Sequence, residues 1–338
     1  MRRLIAVIVL LIVVGTVFAK PTANFVFFSQ EREKIHSADF LNCNGLTGAQ
    51  ITYPWRLLEP QRDSYDFSPI REDLEFLRAH HKRLFIQLQD ATFVPTHVCV
   101  PKYLVDDPQF HGGVGRSYSI EADDDSRATP EGWVARRWDP TVRKRFQKLL
   151  AALGKAFDGK IEGINLAETS VNFGASGRLY PKDFTPAKYR DAIVDDMAAL
   201  KRAFPKSITI QYANFMPGEW LPNDDKGYLK SVYRAAARLQ VGVGGPDLLP
   251  NRPGQMQHAY PLIRSVHGKV VTGIAVQDGN YGSVNPKTGK SYPVAELLGF
   301  AEHYLGVDYV FWCTEEPYFS KQVLPFFKRF RTGHIGNT

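Results

Sequence analysis

Glu168 is the residue of this sequence with the clearest capacity for chemistry. It follows a short apolar run at residues 161–166 and stands at the start of a polar turn. Chains that alternate strands and helices tend to carry reactive groups at the carboxyl ends of the strands. An acid held there is rigid and partly dehydrated, which suits a proton donor. The segment alone equally allows a structural acid that caps a helix or pairs with an arginine.

Other polar and aromatic residues share this strand-end position. Three are acids: Asp278 follows the run at 270–277, and Glu315 and Glu316 follow the run at 308–313. Strand alternation places Glu316 on the same side as Trp312, and Glu315 on the other. Aromatic faces and amides at strand ends are the mixture found in small-ligand pockets. The remaining strand-end candidates are Asp90, Asn165, Tyr212, Asn214, Glu219, Trp220, Asp247, Gln277 and Tyr281.

The elements that would hold these residues alternate regularly. Eight β-rich runs lie at 24–29, 46–53, 83–89, 161–166, 207–213, 240–244, 270–277 and 308–313. Amphipathic stretches lie between most of them, at 69–81, 141–157, 186–204, 224–239, 254–267 and 293–305. Ser68-Pro69 and Thr185-Pro186 have the form of an N-cap followed by proline in the first turn. Eight such units predict a single-domain α/β fold, a closed (β/α)8 TIM barrel.

An open doubly wound sheet is the alternative fold. It usually carries a glycine-rich phosphate loop after its first strand, and neither G-x-G-x-x-G nor the complete G-x-x-x-x-G-K-[ST] pattern occurs in this sequence. The long connection after the third strand, residues 90–139, predicts a lid or binding wall over the face where the strands end. Its acidic run at 123–125 lacks the ligand spacing of a calcium loop, which favours a solvated turn.

A family resemblance begins at Trp55-Arg56-Leu57-Leu58-Glu59-Pro60, followed by Tyr65-Asp66-Phe67. This stretch resembles the W-x-x-L-E-P…Y-D-F stretch of barrel glycosidases, notably bacterial β-galactosidase families in the large clan of retaining (β/α)8 enzymes. The resemblance implies that Trp55 and Arg56 point toward the cleft and that Glu59 is structural. It also implies an acid/base glutamate at the end of the fourth strand, where Glu168 stands.

Two departures from the clan pattern affect the site. The clan has an asparagine directly before the acid/base glutamate, whereas Ala167 stands here and Asn165 lies further back. The clan nucleophile would be a glutamate ending the seventh strand, but that run ends in Gln277-Asp278. The partner of Glu168 is therefore Asp278, Glu315 or Glu316, or Gln277 marks a lost nucleophile. Trp312 resembles the sugar-stacking tryptophan near the end of the eighth strand.

The amino terminus has the pattern of an export signal. Arg2 and Arg3 precede an apolar run at 4–14, and Val17-Phe18-Ala19 offers a cleavage site. We expect a signal peptide at 1–19, a mature domain at 20–338 without a membrane span, and a secreted or periplasmic protein. An uncleaved anchor is the minor alternative because the apolar run is short for a membrane span. Cys43, Cys99 and Cys313 allow one disulfide, or buried free thiols.

Composition and missing motifs exclude several other functions. The net charge of +7 becomes +5 without Arg2 and Arg3, and the basic residues are scattered, which argues against nucleic-acid binding. The sequence contains no H-E-x-x-H zinc motif and no G-x-S-x-G nucleophile elbow. We therefore expect neither a metal nor a cofactor.

These features predict an exported glycoside hydrolase acting on a poly- or oligosaccharide, with Glu168 as proton donor. Ala167 and the missing seventh-strand glutamate keep a second hypothesis open, a carbohydrate-binding barrel that does not hydrolyse. A lyase or isomerase on the same barrel is a third. The sugar, its linkage and the oligomeric state have no signal in the sequence.

Overall fold

The protein forms a closed barrel of eight parallel strands, which confirms the predicted fold class. The computed structural model describes residues 21–120, 124–174 and 176–329. The barrel strands are β1 (Ala23–Phe27), β2 (Gly48–Pro54), β3 (Arg83–Gln89), β4 (Gly163–Leu166), β5 (Ile208–Tyr212), β6 (Gly242–Gly245), β7 (Thr272–Val276) and β8 (Tyr309–Cys313). Each strand pairs with the next, and β1 pairs with β8 to close the barrel. All eight strands coincide with the runs expected from the sequence.

Helices surround the barrel. The α-helices span Ala38–Leu41, Trp55–Leu58, Ser68–Ala79, Lys102–Asp106, Pro140–Phe157, Pro186–Ala203, Tyr228–Leu239, Pro253–Gln257, Ala259–Val266, Val294–Gly299 and Leu324–Lys328. The stretch expected at 254–267 is two helices divided at His258, and the one expected at 293–305 ends as a π-helix, Phe300–Leu305. Thr185 caps its helix as expected, because its hydroxyl accepts a hydrogen bond from the Lys188 N–H at 3.1 Å. Ser68 is instead the first residue of its helix.

The barrel interior changes from aromatic to polar along the strands. Near the amino ends of the strands, Phe25, Phe85, Tyr309 and Phe311 pack ring against ring, with centroids 5.0 to 6.2 Å apart. Gly163 makes room for this cluster, since a Cβ there would lie 2.6 Å from the Phe85 ring. Further along, Gln50 Nε2 donates to Asn165 Oδ1 at 2.9 Å and to the Tyr212 hydroxyl at 3.1 Å. The polar layer lies on the side of the barrel where the strands end.

The long connection after β3 has secondary structure of its own. Three short strands, Ala91–Thr92, Val114–Ser119 and Thr129–Ala135, form an antiparallel sheet. This sheet gives the connection a rigid base beside the mouth of the barrel. Asp123 of the acidic run and the predicted signal peptide at 1–19 lie outside the described residues.

Two further expectations concern the thiols and the membrane. Cys43, Cys99 and Cys313 are all buried and free, so the disulfide alternative is wrong for this structure. Among the described residues, no helix is both long and apolar enough to cross a bilayer.

Candidate active site

A cavity of about 430 Å³ opens at the carboxyl ends of the strands. Its size is within the range of small-ligand sites. Loops that follow most of the barrel strands contribute to its wall. The lining residues are Phe27, Ser29, Thr52, Gln87, Gln89, Ala91, Phe93, Ala167, Glu168, Ser170, Tyr212, Asn214, Phe215, Pro246, Asp247, Gln277 and Asp278.

Glu168 lies in this wall with an unusual proton affinity. Burial raises the pKa of its carboxyl group to about 7, and the charge of Asp247 adds to the increase. A hydrogen bond from Asn214 Nδ2 to Glu168 Oε2, 2.6 Å long, acts in the opposite direction because it favours the ionised form. A carboxylic acid with a pKa near neutrality can hold a proton and release it at neutral pH.

A buried arginine, Arg137, binds the main chain of the segment that carries Glu168. Arg137 donates two hydrogen bonds to the carboxylate of Asp90, at 2.7 and 2.6 Å, and a third to the main-chain carbonyl of Glu168 at 3.0 Å. Its remaining contact is the hydroxyl of Tyr189 at 2.7 Å, and that hydroxyl donates to the Thr169 carbonyl at 3.2 Å. The turn after β4 is therefore held at two consecutive main-chain carbonyls, those of Glu168 and Thr169. The Arg137 charge also lowers the pKa of Glu168.

Asp247 is the second carboxylate at the cavity with restrained geometry. It follows β6, where Asn280 Nδ2 donates to its Oδ1 at 3.1 Å and Gln255 Nε2 donates to its Oδ2 at 3.3 Å. Burial raises its pKa, while the Asn280 hydrogen bond and the charge of Arg252 oppose the increase. The environments of Glu168 and Asp247 thus differ, and such a difference allows one acid to hold a proton while the other is ionised.

The three acids that the sequence predicted as partners of Glu168 lie in different surroundings. Asp278 lines the cavity but is exposed to solvent. Glu315 lies beside it and accepts a hydrogen bond from the Gly279 N–H at 2.9 Å, whereas Glu316 is exposed and bonded to the Ser320 hydroxyl at 2.6 Å. Neither Glu315 nor Glu316 lines the cavity.

Asp278 and Glu315 also form a cluster with Cys313. Among the residues that the structure describes, these three place one potential metal-ligand atom each within 4.8 Å of one another. Burial raises the pKa of the Cys313 thiol to about 12, with nearby carboxylates contributing. Without a bound metal, the Cys313 thiol is therefore protonated at neutral pH.

Several residues expected to bind substrate lie elsewhere. Trp55 is fully buried, packs on Phe146 and donates to Glu59 Oε2 at 2.8 Å, so it cannot point toward the cleft. Arg56 reaches the Val98 carbonyl at 3.0 Å and does not line the cavity. Glu59 is buried in an ion pair with Arg145, as a structural residue would be.

The aromatic residues near β7 and β8 are also structural. Trp312 is fully buried; its Nε1 donates to Asn24 Oδ1 at 2.9 Å and its ring packs on Phe327, so it cannot stack on a sugar. Tyr281 is buried and donates to the Cys313 carbonyl at 3.0 Å. The reason is the pleat of β8, which directs Phe311 into the barrel and Trp312 toward the helices.

The remaining candidates divide into lining and supporting residues. Tyr212, Asn214 and Gln277 line the cavity. Asp90 and Asn165 are buried beneath it. Trp220 lies outside the cavity lining but stacks on Phe215, which does line it. Glu219 caps the helix Tyr228–Leu239, with its carboxylate accepting from the Leu229 N–H at 2.6 Å.

Sequence reasoning missed other residues of the site. Gln87 and Gln89 line the cavity, and their alternation with apolar residues along β3 was a usable signal. Arg137 and Phe93 lie in the long connection, where no periodicity marks them. Asp247 was noted at the end of its strand but was not counted among the catalytic candidates.

Comparisons with known proteins give the fold and no family. No protein-family model matches the sequence, and no curated protein matches it. Among solved structures, the β-galactosidase from Bacillus circulans sp. alkalophilus is similar with a TM-score of 0.54 and 12% identity, over 86% of this chain and 50% of that one. A β-galactosidase from the Antarctic haloarchaeon Halorubrum lacusprofundi gives 0.53 and 12%, over 86% and 52%.

In a third similar structure, the match covers a larger share of the other protein. The GH5_18 protein from Streptomyces cattleya, in complex with Manb1-4GlcNAc, gives a TM-score of 0.52 and 12% identity, over 86% of this chain and 70% of that one. This chain spans about half the length of the two β-galactosidases. The barrel is thus a fold that this protein shares with glycoside hydrolases.

Proposed function

We propose that this protein is a glycoside hydrolase in which Glu168 donates the proton to the leaving oxygen and Asp247 is the second carboxylate. The observation that carries the proposal is that two carboxyl groups with different hydrogen-bond partners lie in the wall of one cavity. The Glu168 pKa is raised to about 7 and the Asp247 charge contributes to that increase. Glycoside hydrolysis requires one protonated and one ionised carboxyl group on either side of the scissile bond.

The protonation states follow from the surroundings of each acid. Burial raises the pKa of Asp247, but its two amide hydrogen bonds and the nearby Arg252 charge favour the ionised form, and we assign it as the ionised partner of Glu168. Glu168 then holds its proton up to about pH 7 and is ready to protonate a glycosidic oxygen. Tyr212, Gln87 and Gln277 offer hydroxyl and amide groups that suit the hydroxyls of a sugar.

The barrel and its neighbours support a carbohydrate substrate. The similar proteins include two β-galactosidases and one protein bound to Manb1-4GlcNAc, so β-linked sugars are the first substrates to test. We include export in the proposal, on the pattern of residues 1–19.

The test is hydrolysis by matched single variants. Reducing-sugar release from a panel of soluble polysaccharides, and release of 4-nitrophenol from β-glycosides, would be measured for wild type, Glu168→Gln, Asp247→Asn and Asp278→Asn. We expect losses of about 10²-fold or more for the first two variants. Asp278→Asn is the matched control, because it removes an exposed carboxylate from the same cavity and should lose much less.

The result also separates the proposal from its rivals. Full turnover in Glu168→Gln would contradict the acid role, and a large loss in Asp278→Asn with little in Asp247→Asn would exchange the two aspartates. Sugar binding by wild type without any hydrolysis would favour the carbohydrate-binding barrel. The pH profile of kcat/KM should decline above about pH 7, because Glu168 must be protonated to act.

A further inference from the structure

Two groups of aromatic side chains flank the cavity, in addition to the two carboxylates of the proposed mechanism. Phe93, in the connection after β3, lines the cavity and is 52% exposed. Phe215, after β5, lines it from another loop, and Trp220 stacks on Phe215 with centroids 5.5 Å apart and planes inclined by 10°. Trp220 remains 54% exposed. Since β4 lies between β3 and β5, the loop carrying Glu168 lies between these two groups.

Exposed rings beside a polar cavity indicate a particular kind of ligand. Large apolar side chains in water are usually scattered, and a group of them around a cleft marks a binding surface. Pyranose rings have apolar faces and hydroxyl edges, so they suit a site with flat rings at its rim and amides and acids within it. The tryptophans of the family-like segments cannot do this, because Trp55 and Trp312 are fully buried.

Phe93 is held rigidly by the small sheet of the long connection. Thr92 pairs with Trp133 across that sheet, and the Thr92 hydroxyl accepts a hydrogen bond from the Val94 N–H at 3.0 Å. Gly132 allows this close approach, since a Cβ there would lie 1.8 Å from the Thr92 carbonyl oxygen. A ring on such a fixed segment loses little freedom when a ligand binds.

Trp220 is held with similar rigidity. Its main chain exchanges two hydrogen bonds with Asp224, at 3.0 and 2.8 Å. Its ring contacts the His258 ring, with the two centroids 4.4 Å apart. The carboxylate of the adjacent Glu219 accepts hydrogen bonds from N–H groups at the start of the helix Tyr228–Leu239. The position of the exposed face is therefore set before any ligand arrives.

We propose that Phe93 and the Phe215–Trp220 stack are sugar-binding platforms on the two sides of Glu168, so that the substrate is a β-linked polysaccharide chain cleaved internally. This inference rests on the proposed hydrolase function. Phe93 and Trp220 are both exposed, so neither platform closes the cleft beyond the sugar unit that it holds, and a longer chain can extend past each of them. Platforms on both sides require sugar units on both sides of the bond that is cleaved.

The experiment compares long and short substrates. Wild type, Trp220→Ala, Trp220→Phe, Phe93→Ala and Leu57→Ala would be assayed on carboxymethyl-cellulose, galactomannan and xyloglucan, and on 4-nitrophenyl β-glucoside, β-galactoside and β-mannoside. Leu57 is the control, because it is 41% exposed and does not line the cavity. Loss of one stacked ring should raise KM for the cleaved polysaccharide about 10-fold, within the energy of an aromatic contact.

The expected pattern is a split between substrates. Trp220→Ala and Phe93→Ala should raise KM about 10-fold for the polysaccharide and less for the 4-nitrophenyl glycosides, which fill fewer sugar positions, whereas Leu57→Ala should match wild type on both. Trp220→Phe should recover most of the loss, and wild type should release long products from the polysaccharide. Equal activity of all variants on polysaccharide, or wild-type release of single sugars from chain ends, would overturn the inference while leaving hydrolysis intact.

A binding measurement keeps the two proposals distinguishable. Electrophoretic retardation of Glu168→Gln in gels containing the same polysaccharides, with and without Trp220→Ala, reports the platforms without hydrolysis. Retardation that depends on Trp220 supports the platforms even if no hydrolysis is found, in which case only the hydrolase proposal fails. Retardation that is unchanged by Trp220→Ala, and by Phe93→Ala introduced into Glu168→Gln in the same way, would contradict the platforms.

Discussion

Two buried arginine–carboxylate pairs stand close together in the sequence and perform different tasks. Arg145 is paired with Glu59 and with Asp63, at 2.8 Å for the latter, and donates to the Tyr103 hydroxyl at 2.9 Å. Arg137 is paired with Asp90 and donates to the main chain of Glu168. The first pair joins the end of the Trp55–Leu58 helix to the helix Pro140–Phe157, and neither Arg145 nor Glu59 lines the cavity.

The difference teaches that burial and pairing alone do not identify a functional ion pair. Both arginines and both principal carboxylates are at most 5% exposed at their side chains. Only Arg137 affects the proton affinity of a cavity residue, because its charge lowers the pKa of Glu168. The Arg145 pair should therefore affect stability alone, and the Arg137 pair should affect stability and the pH profile together.

Arg145→Met gives one of the two largest expected effects on stability. Removing the arginine leaves the fully buried Glu59 carboxylate without its cation, and breaking a buried pair in this way costs about 3–5 kcal/mol. Urea unfolding monitored by tryptophan fluorescence measures the loss. Lys148→Met is the control, since Lys148 contacts Asp63 at the exposed surface at 3.5 Å and its loss should leave the unfolding midpoint unchanged. A shifted pH profile of kcat/KM in folded Arg145→Met would contradict the expectation that the Arg145 pair affects stability alone.

Arg137→Met should be similarly destabilised, by about 3–5 kcal/mol, because Asp90 is then buried without its partner. It should also move the alkaline limb of kcat/KM to higher pH, since the lost positive charge no longer lowers the pKa of Glu168. The double variant Arg137→Met/Asp90→Asn removes both buried charges. If the double variant recovers stability while the alkaline limb of kcat/KM stays at higher pH, the structural role of the ion pair is separate from the effect of Arg137 on the Glu168 pKa. An alkaline limb at the wild-type pH would contradict the electrostatic role of Arg137.

Asn214→Ala is the smallest and most specific change. It removes the 2.6 Å hydrogen bond to Glu168, which favours the ionised carboxylate, so the alkaline limb should again move to higher pH. The loss of one such bond costs about 0.5–1.5 kcal/mol of unfolding free energy. Asn214→Asp, which replaces the donor with a second carboxylate, should move the limb further in the same direction. A limb displaced to lower pH in either variant would contradict the direction of this contact.

The fold was predictable because its signals are local. Each barrel strand is a short apolar run followed by a polar turn. The start of the helix Pro186–Ala203 is indicated by Thr185 as N-cap and by Pro186 in the first turn. The position of Glu168 follows from the same count of strands. The resemblance at Trp55 and Glu59 correctly implied a structural Glu59 but placed Trp55 in the cleft, because a motif does not say which of its side chains the core will bury.

The acids at the site show where local signals end. Asp278, Glu315 and Glu316 follow strands as Glu168 does, yet only Asp278 lines the cavity. Asp247 has the same sequence character and gains its place from the amides of Asn280 and Gln255, which arrive from other segments. Such convergence depends on how strands and loops meet in space.

The sequence by itself determined the period of the elements, the count of eight strands and the location of Glu168 at the end of the fourth, because these depend on neighbouring residues along the chain. Tertiary structure decided the rest. Closure of the barrel brings Asp247 and Arg137 to Glu168 and sets its pKa, since burial and charge act through space. The pleat of β8 turns Trp312 into the helical layer, and the loops after β3 and β5 leave Phe93 and Trp220 exposed at the rim instead.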